Sequence, residues 1–216
     1  MFKKRLVVFV SLVLVGMLAV ACGQKEETIT YEDGSTYVGV VKDGKANGEG
    51  TWSNEDGGKY VGGFKDDLFE GKGSLTWGLG YRYNEKYEGD FVAGKYNGQG
   101  TWSNADGETY VGGFKDDVFD GEGTFTSVTG DVYVGGFKDG MFDGKGVQTF
   151  ADGVSKYEGD FVGNMFSGQG TFTYAIGGNY TGSWEYSMYN GQGTLTNFDG
   201  SVQKGIWENN KLVTPE

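Results

Sequence analysis

The chain has no histidine, a single cysteine (Cys22) and a single proline in 216 residues. Without His there is no imidazole acid–base chemistry. Cys/His metal sites and an intrachain disulfide are excluded as well. Scarce proline also rules out collagen, although 42 residues are glycine, because collagen needs Gly at every third residue with abundant Pro. The helix formers Ala and Leu are thin after residue 30. Aromatic residues make up 16%, too many for a disordered chain. Glycine with aromatics points to strands joined by tight turns. Basic residues are the minority, 18 against 30 acidic, for a net charge of −12. Residues 1–21 hold three bases and no acid, so the remainder carries 15 bases against 30 acids, or −15. Such a body repels nucleic acid, and anionic headgroups too unless its charge is strongly segregated.

Lys3, Lys4 and Arg5 precede an apolar run from Leu6 to Ala21, broken only by Ser11 and Gly16. The run is short for a membrane span, and its basic flank fits a signal peptide. It ends Leu18-Ala19-Val20-Ala21-Cys22-Gly23, which resembles the bacterial lipobox. The resemblance implies cleavage after residue 21 and acylation of Cys22, a lipidation site able to hold the protein stably on a membrane. Ala19 stands where that motif usually has Leu. Gly23 is not the Asp associated with inner-membrane retention, which favours the outer membrane in a cell with two. Residues 22–28 read as a polar tether.

From residue 29 to residue 212 one unit recurs. Its leading tyrosines are Tyr37, Tyr60, Tyr87, Tyr110, Tyr133, Tyr157 and Tyr180, spaced 23, 27, 23, 23, 24 and 23 residues apart. The longest spacing has extra residues around Gly78 to Asn84, and Gln203 holds the next leading position without a Tyr. With that Tyr counted as position 1, position 3 is Gly and position 5 is Val41, then Phe or Trp. Gly-x-Gly-x-aromatic follows at positions 12, 14 and 16, as in Gly121, Gly123 and Phe125. The period of two describes strands with one apolar face. Glycine weakens a strand, so its recurrence calls for a reason; the expectation is room for a neighbouring ring. Lys115-Asp116-Asp117 suits a hairpin turn. Position 10 (Phe69, Tyr96, Phe119, Phe142, Phe166, Tyr189) reads as a ring folding back over the hairpin end. Asp-Gly at Asp56, Asp106, Asp152 and Asp199 marks the link to the next unit. Fixed self-similarity of this length means a stacked array.

Tyr-x-Gly-x-aromatic followed by Gly-x-Gly-x-aromatic resembles the MORN repeat. The resemblance implies an all-β fold, an elongated array of stacked β-hairpins in a single twisted antiparallel sheet. Trp52 to Asp67 nearly recurs as Trp102 to Asp117, and KYEGDFV occurs at both Lys86 to Val92 and Lys156 to Val162. Similar units would offer a partner similar surfaces along the array.

Candidate chemistry is sparse. Asp66, Asp67, Asp116, Asp117 and Asp139 fall in turns without a calcium-binding motif. Glu70, Asp120 and Asp143 recur with the repeat, and nothing marks a carboxylate pair among them. No catalytic residue, cofactor or metal site is assigned, and the chain is not expected to be an enzyme. The expected protein is an extracytoplasmic, membrane-anchored scaffold in a bacterial envelope, binding a protein partner of unknown identity and no nucleic acid. Self-association through the array ends is a further expectation, with Glu208-Asn209-Asn210-Lys211 blunting one end. Variable outward residues such as Val111, Lys115 and Thr126 are the expected carriers of specificity. An envelope-polysaccharide or peptidoglycan binder is the alternative.

Overall fold

In the computed structural model, residues 25–80 and 82–216 are described. The leader, Cys22 and the next two residues of the tether lie outside them. The chain divides into two compact units, the first ending at Ala105 and the second spanning Asp106–Glu216. Unit 1 contains β1 (Glu26–Thr30), β2 (Thr36–Lys42), β3 (Lys45–Ser53), β4 (Lys59–Lys65), β5 (Leu68–Thr76), β6 (Lys86–Val92) and β7 (Lys95–Ser103). Unit 2 contains β8 (Thr109–Lys115), β9 (Val118–Thr126), β10 (Val132–Lys138), β11 (Met141–Thr149), β12 (Lys156–Val162), β13 (Met165–Thr173), β14 (Asn179–Glu185), β15 (Met188–Thr196), β16 (Val202–Glu208) and β17 (Lys211–Pro215). Within each unit every strand pairs antiparallel with its sequence neighbours. The all-β, stacked-hairpin architecture expected from the repeat is therefore present in both.

Each full repeat is one hairpin of a seven-residue and a nine-residue strand. Two-residue turns join them, and both turn residues are left-handed: Asp116 and Asp117 have φ of 50° and 72°, Asp139 and Gly140 50° and 81°. This is the type I′ geometry, whose twist matches that of the flanking strands. The expected Asp-Gly links are the turns between repeats. In the loop after β15, for example, Gly200 donates to the Asn197 carbonyl at 3.0 Å.

Two boundaries differ from the sequence reading. β1 starts at Glu26, so three residues assigned to the tether by composition are paired with β2. Glu208 to Lys211 does not close the array. Asn209 and Asn210 form a type I′ turn, with φ of 48° and 66°, and β17 follows as the edge strand. The first strand of unit 1 and the last strand of unit 2 are each five residues long, one carrying Glu26 and Glu27, the other Lys211 and Pro215. Short edges with charge and proline discourage further strand pairing.

Candidate functional site

The two faces of each unit differ sharply. In β8, Tyr110, Gly112 and Phe114 are buried while Val111 and Lys115 are exposed. The first set lies on a face built from rings. Tyr110 is stacked on Phe119 of its own hairpin, centroids 3.9 Å apart, and meets Phe114 edge-on at 5.1 Å. It also meets Phe137 of the next hairpin at 4.9 Å. The same stack joins Tyr60 to Phe69, Tyr133 to Phe142, Tyr157 to Phe166 and Tyr180 to Tyr189. Position 10 thus folds back as expected, and its partner is the leading tyrosine.

The glycines at positions 14 and 12 serve different ends. A Cβ on Gly123 would lie 2.5 Å from Cε2 of Tyr110, so position 14 makes room for the ring. That ring belongs to the same repeat, not to a neighbour as the sequence suggested. Where the leading Tyr is absent, position 14 is no longer Gly: Gln203 is matched by Glu216. Position 12 answers to backbone conformation instead. Gly121 has φ of 91° and nothing within 4 Å of its missing Cβ, as at the left-handed residue of a β-bulge. The bulge shifts the register between Gly112 and Phe114. The Tyr110 hydroxyl reaches across it to donate to the Gly113 carbonyl at 2.9 Å. The corresponding bond recurs at Tyr37, Tyr60, Tyr87, Tyr133, Tyr157 and Tyr180. Burial pushes the phenols of Tyr37, Tyr110 and Tyr180 up to about 12.

Neighbouring hairpins are also tied through their tips. The Asn164 amide N–H donates to the Phe142 carbonyl at 3.0 Å, and its Oδ1 accepts from the Phe142 N–H at 2.7 Å. Asn210 does the same to Tyr189, and Asp67 to Ala46. The turn acids are thus partly structural. Of the acids weighed for catalysis, Glu70 accepts from the Ala93 N–H at 3.0 Å, while Asp120 and Asp143 lie in separate repeats.

The insert after β5 folds onto its unit. Trp77 Nε1 donates to the Tyr96 hydroxyl at 3.1 Å, which donates to Glu85 Oε1 at 3.2 Å. Arg82 lies 5.5 Å from both ring centroids and 3.5 Å from Glu85. Glu85 therefore sits buried with its charge answered.

What remains open to a partner is the upper layer of the ring face. In unit 2 the leading tyrosines and position-5 rings are at most 6% exposed. The rings at positions 10 and 16 are only half-buried: Phe119, Phe142, Phe166 and Tyr189 in one file, Phe125 and Phe172 in the other. The files touch, with Phe119–Phe125 at 6.3 Å, Phe125–Phe142 at 6.2 Å and Phe166–Phe172 at 6.1 Å. Val111, Lys115 and Thr126, expected to carry specificity, occupy the opposite face. The aromatic repeat is therefore core in its lower layer and accessible surface in its upper one. The sequence did not separate these layers, because depth above the sheet leaves no mark on a period of two.

No curated protein matches the chain. Among solved structures, the chain is similar to the TCP domain of Drosophila melanogaster SAS-4 (dCPAP), in complex with a proline-rich motif of Ana2 (dSTIL). Identity there is 14% over 91% of this chain and 99% of that one, with a TM-score of 0.44. It is also similar to the TCP10 domain of Danio rerio CPAP, at 11% identity over 88% of each chain and a TM-score of 0.44. The MORN repeat pattern matches seven times, at residues 37–59, 60–78, 87–109, 110–132, 133–155, 157–179 and 180–202. The chain therefore belongs to the MORN-repeat family.

Proposed function

We propose that the protein is a non-enzymatic scaffold that binds another protein through the ring face, held on the extracytoplasmic side of a bacterial envelope membrane by acylated Cys22. The half-buried aromatic layer of unit 2 supports the binding reading. Accessible aromatic surface of this kind is enriched where proteins meet, and Phe119, Phe142 and Phe166 are held rigid by the tyrosines beneath them. The membrane anchor and the envelope location rest on the sequence around Cys22 alone.

A pull-down from detergent-solubilised envelope separates this reading from its alternative. The intact chain should retain a specific protein that the double variant Phe142→Ser/Phe166→Ser loses. Depletion by insoluble cell wall, with no protein retained, would favour a polysaccharide ligand instead. Cys22→Ser should abolish incorporation of labelled fatty acid and release the protein from the membrane fraction. Unchanged labelling would remove the anchor from the proposal.

A further inference from the structure

One residue interrupts the upper ring layer. Position 16 is Trp52, Leu75, Trp102, Phe125, Gln148, Phe172 and Leu195 along the array, so Gln148 alone is polar. It pairs across the strands with Tyr133 on one side and Tyr157 on the other. That places it in the file between Phe125 and Phe172, half-buried and next to a surface that is otherwise apolar. Its side-chain amide has no hydrogen-bond partner among the described residues, and no side-chain polar atom among them is both buried and unpaired, so this amide is open to water. A lone polar group in an aromatic surface gives a ligand its orientation.

The spacing of the surface selects among ligand conformations. Equivalent positions in successive hairpins are two strands apart, about 9.6 Å at the usual strand separation. A polyproline II segment returns to the same face every third residue, about 9.3 Å on. A β-strand returns about every 6.7 Å, and a helix matches less closely, at about 10.5 Å per heptad. Charge selects the composition. Unit 2 has 16 acidic and 6 basic residues, a net charge of −10. Three of those lysines are already committed to ion pairs with Asp160, Glu158 and Glu216.

We propose that Gln148 is the polar anchor of a peptide site on the ring face of unit 2, and that the occupant is a basic segment in the polyproline II conformation with an apolar side chain at every third residue. The inference rests on the protein-binding reading above and deepens it. The apolar side chains lie over Phe125, Phe142 and Phe172. The backbone of such a segment makes no internal hydrogen bonds, and the Gln148 amide supplies both a donor and an acceptor to it. Lys or Arg at the intervening positions is drawn by the unit's net charge of −10.

The test uses the full mature chain and three labelled peptides, followed by fluorescence anisotropy: repeating Leu-Pro-Lys, repeating Leu-Pro-Glu and alternating Leu-Lys. The basic proline-containing peptide should bind, more weakly as salt rises, and the acidic one should not. Gln148→Leu should weaken that binding about tenfold while raising the melting temperature, since it completes the apolar layer. Val111→Thr, on the opposite face, should leave binding unchanged. Equal binding of the acidic peptide, preference for alternating Leu-Lys, or unchanged affinity in Gln148→Leu would each overturn the inference. The wider protein-binding proposal would survive those results, because it is judged by the envelope pull-down.

Discussion

At the scale of the residue, the leading tyrosine organises everything near it. Its ring needs the bare backbone of position 14, and its hydroxyl satisfies a carbonyl that the bulge removes from the ladder. Gly123→Ala should therefore cost about 3 kcal/mol, the upper range for overpacking. Gly121→Ala should cost only about 1 kcal/mol, the price of a left-handed alanine. Thermal melts check both, and Tyr110→Gln should nearly silence Gly123→Ala while leaving the cost of Gly121→Ala intact. Phe114, 5% exposed beneath the stack, should lose about 3–5 kcal/mol on truncation to Ala; an unchanged melting temperature would place that ring outside the core. The large–absent–large pattern of Tyr110, Gly112 and Phe114 was legible in the sequence because it follows the strand period. The separate reason for Gly121 was not, since a positive φ and a need for space both read as glycine.

At the scale of the element, the hairpin is set by its turn and locked to the next hairpin by it. Asp116-Asp117 announced a turn in the sequence, but the tip-to-tip bonds did not, because Asn164 and Phe142 lie 22 residues apart. Asn164→Gly keeps the left-handed conformation and removes only the side-chain acceptor. It should lower stability by about 0.5–1.5 kcal/mol in a denaturant titration. Tyr186 holds a φ of 51° in the turn after β14 and is 65% exposed. Asn tolerates that conformation better than an aromatic residue, so Tyr186→Asn should raise the melting temperature. Gln148 shows where element-level reading falls short: its strand is obvious, yet only the position-by-position comparison of repeats marks it as the polar exception in a ring file.

At the scale of the whole molecule, the repeated phenols give the protein a characteristic response to alkali. The folded state raises the pKa of Tyr37, Tyr110 and Tyr180 to about 12, above the ordinary value near 10. A phenol held protonated by burial contributes stability that is complete below pH ~10 and is lost as pH rises through the folded value. Tyr37, Tyr110 and Tyr180 should therefore ionise only as the fold gives way, in one cooperative step. Phenolate absorbance and circular dichroism recorded together would show whether the two events coincide.

The central claim is that function resides in the open upper layer of the ring face. The most direct measurement is photo-crosslinking in intact cells, with the reactive residue placed at Phe142 on that layer or at Val134 on the opposite face. A discrete protein adduct from position 142 and none from position 134 is the predicted result. Adducts from position 134 alone, or none from position 142 in cells where the protein is folded and abundant, would contradict it.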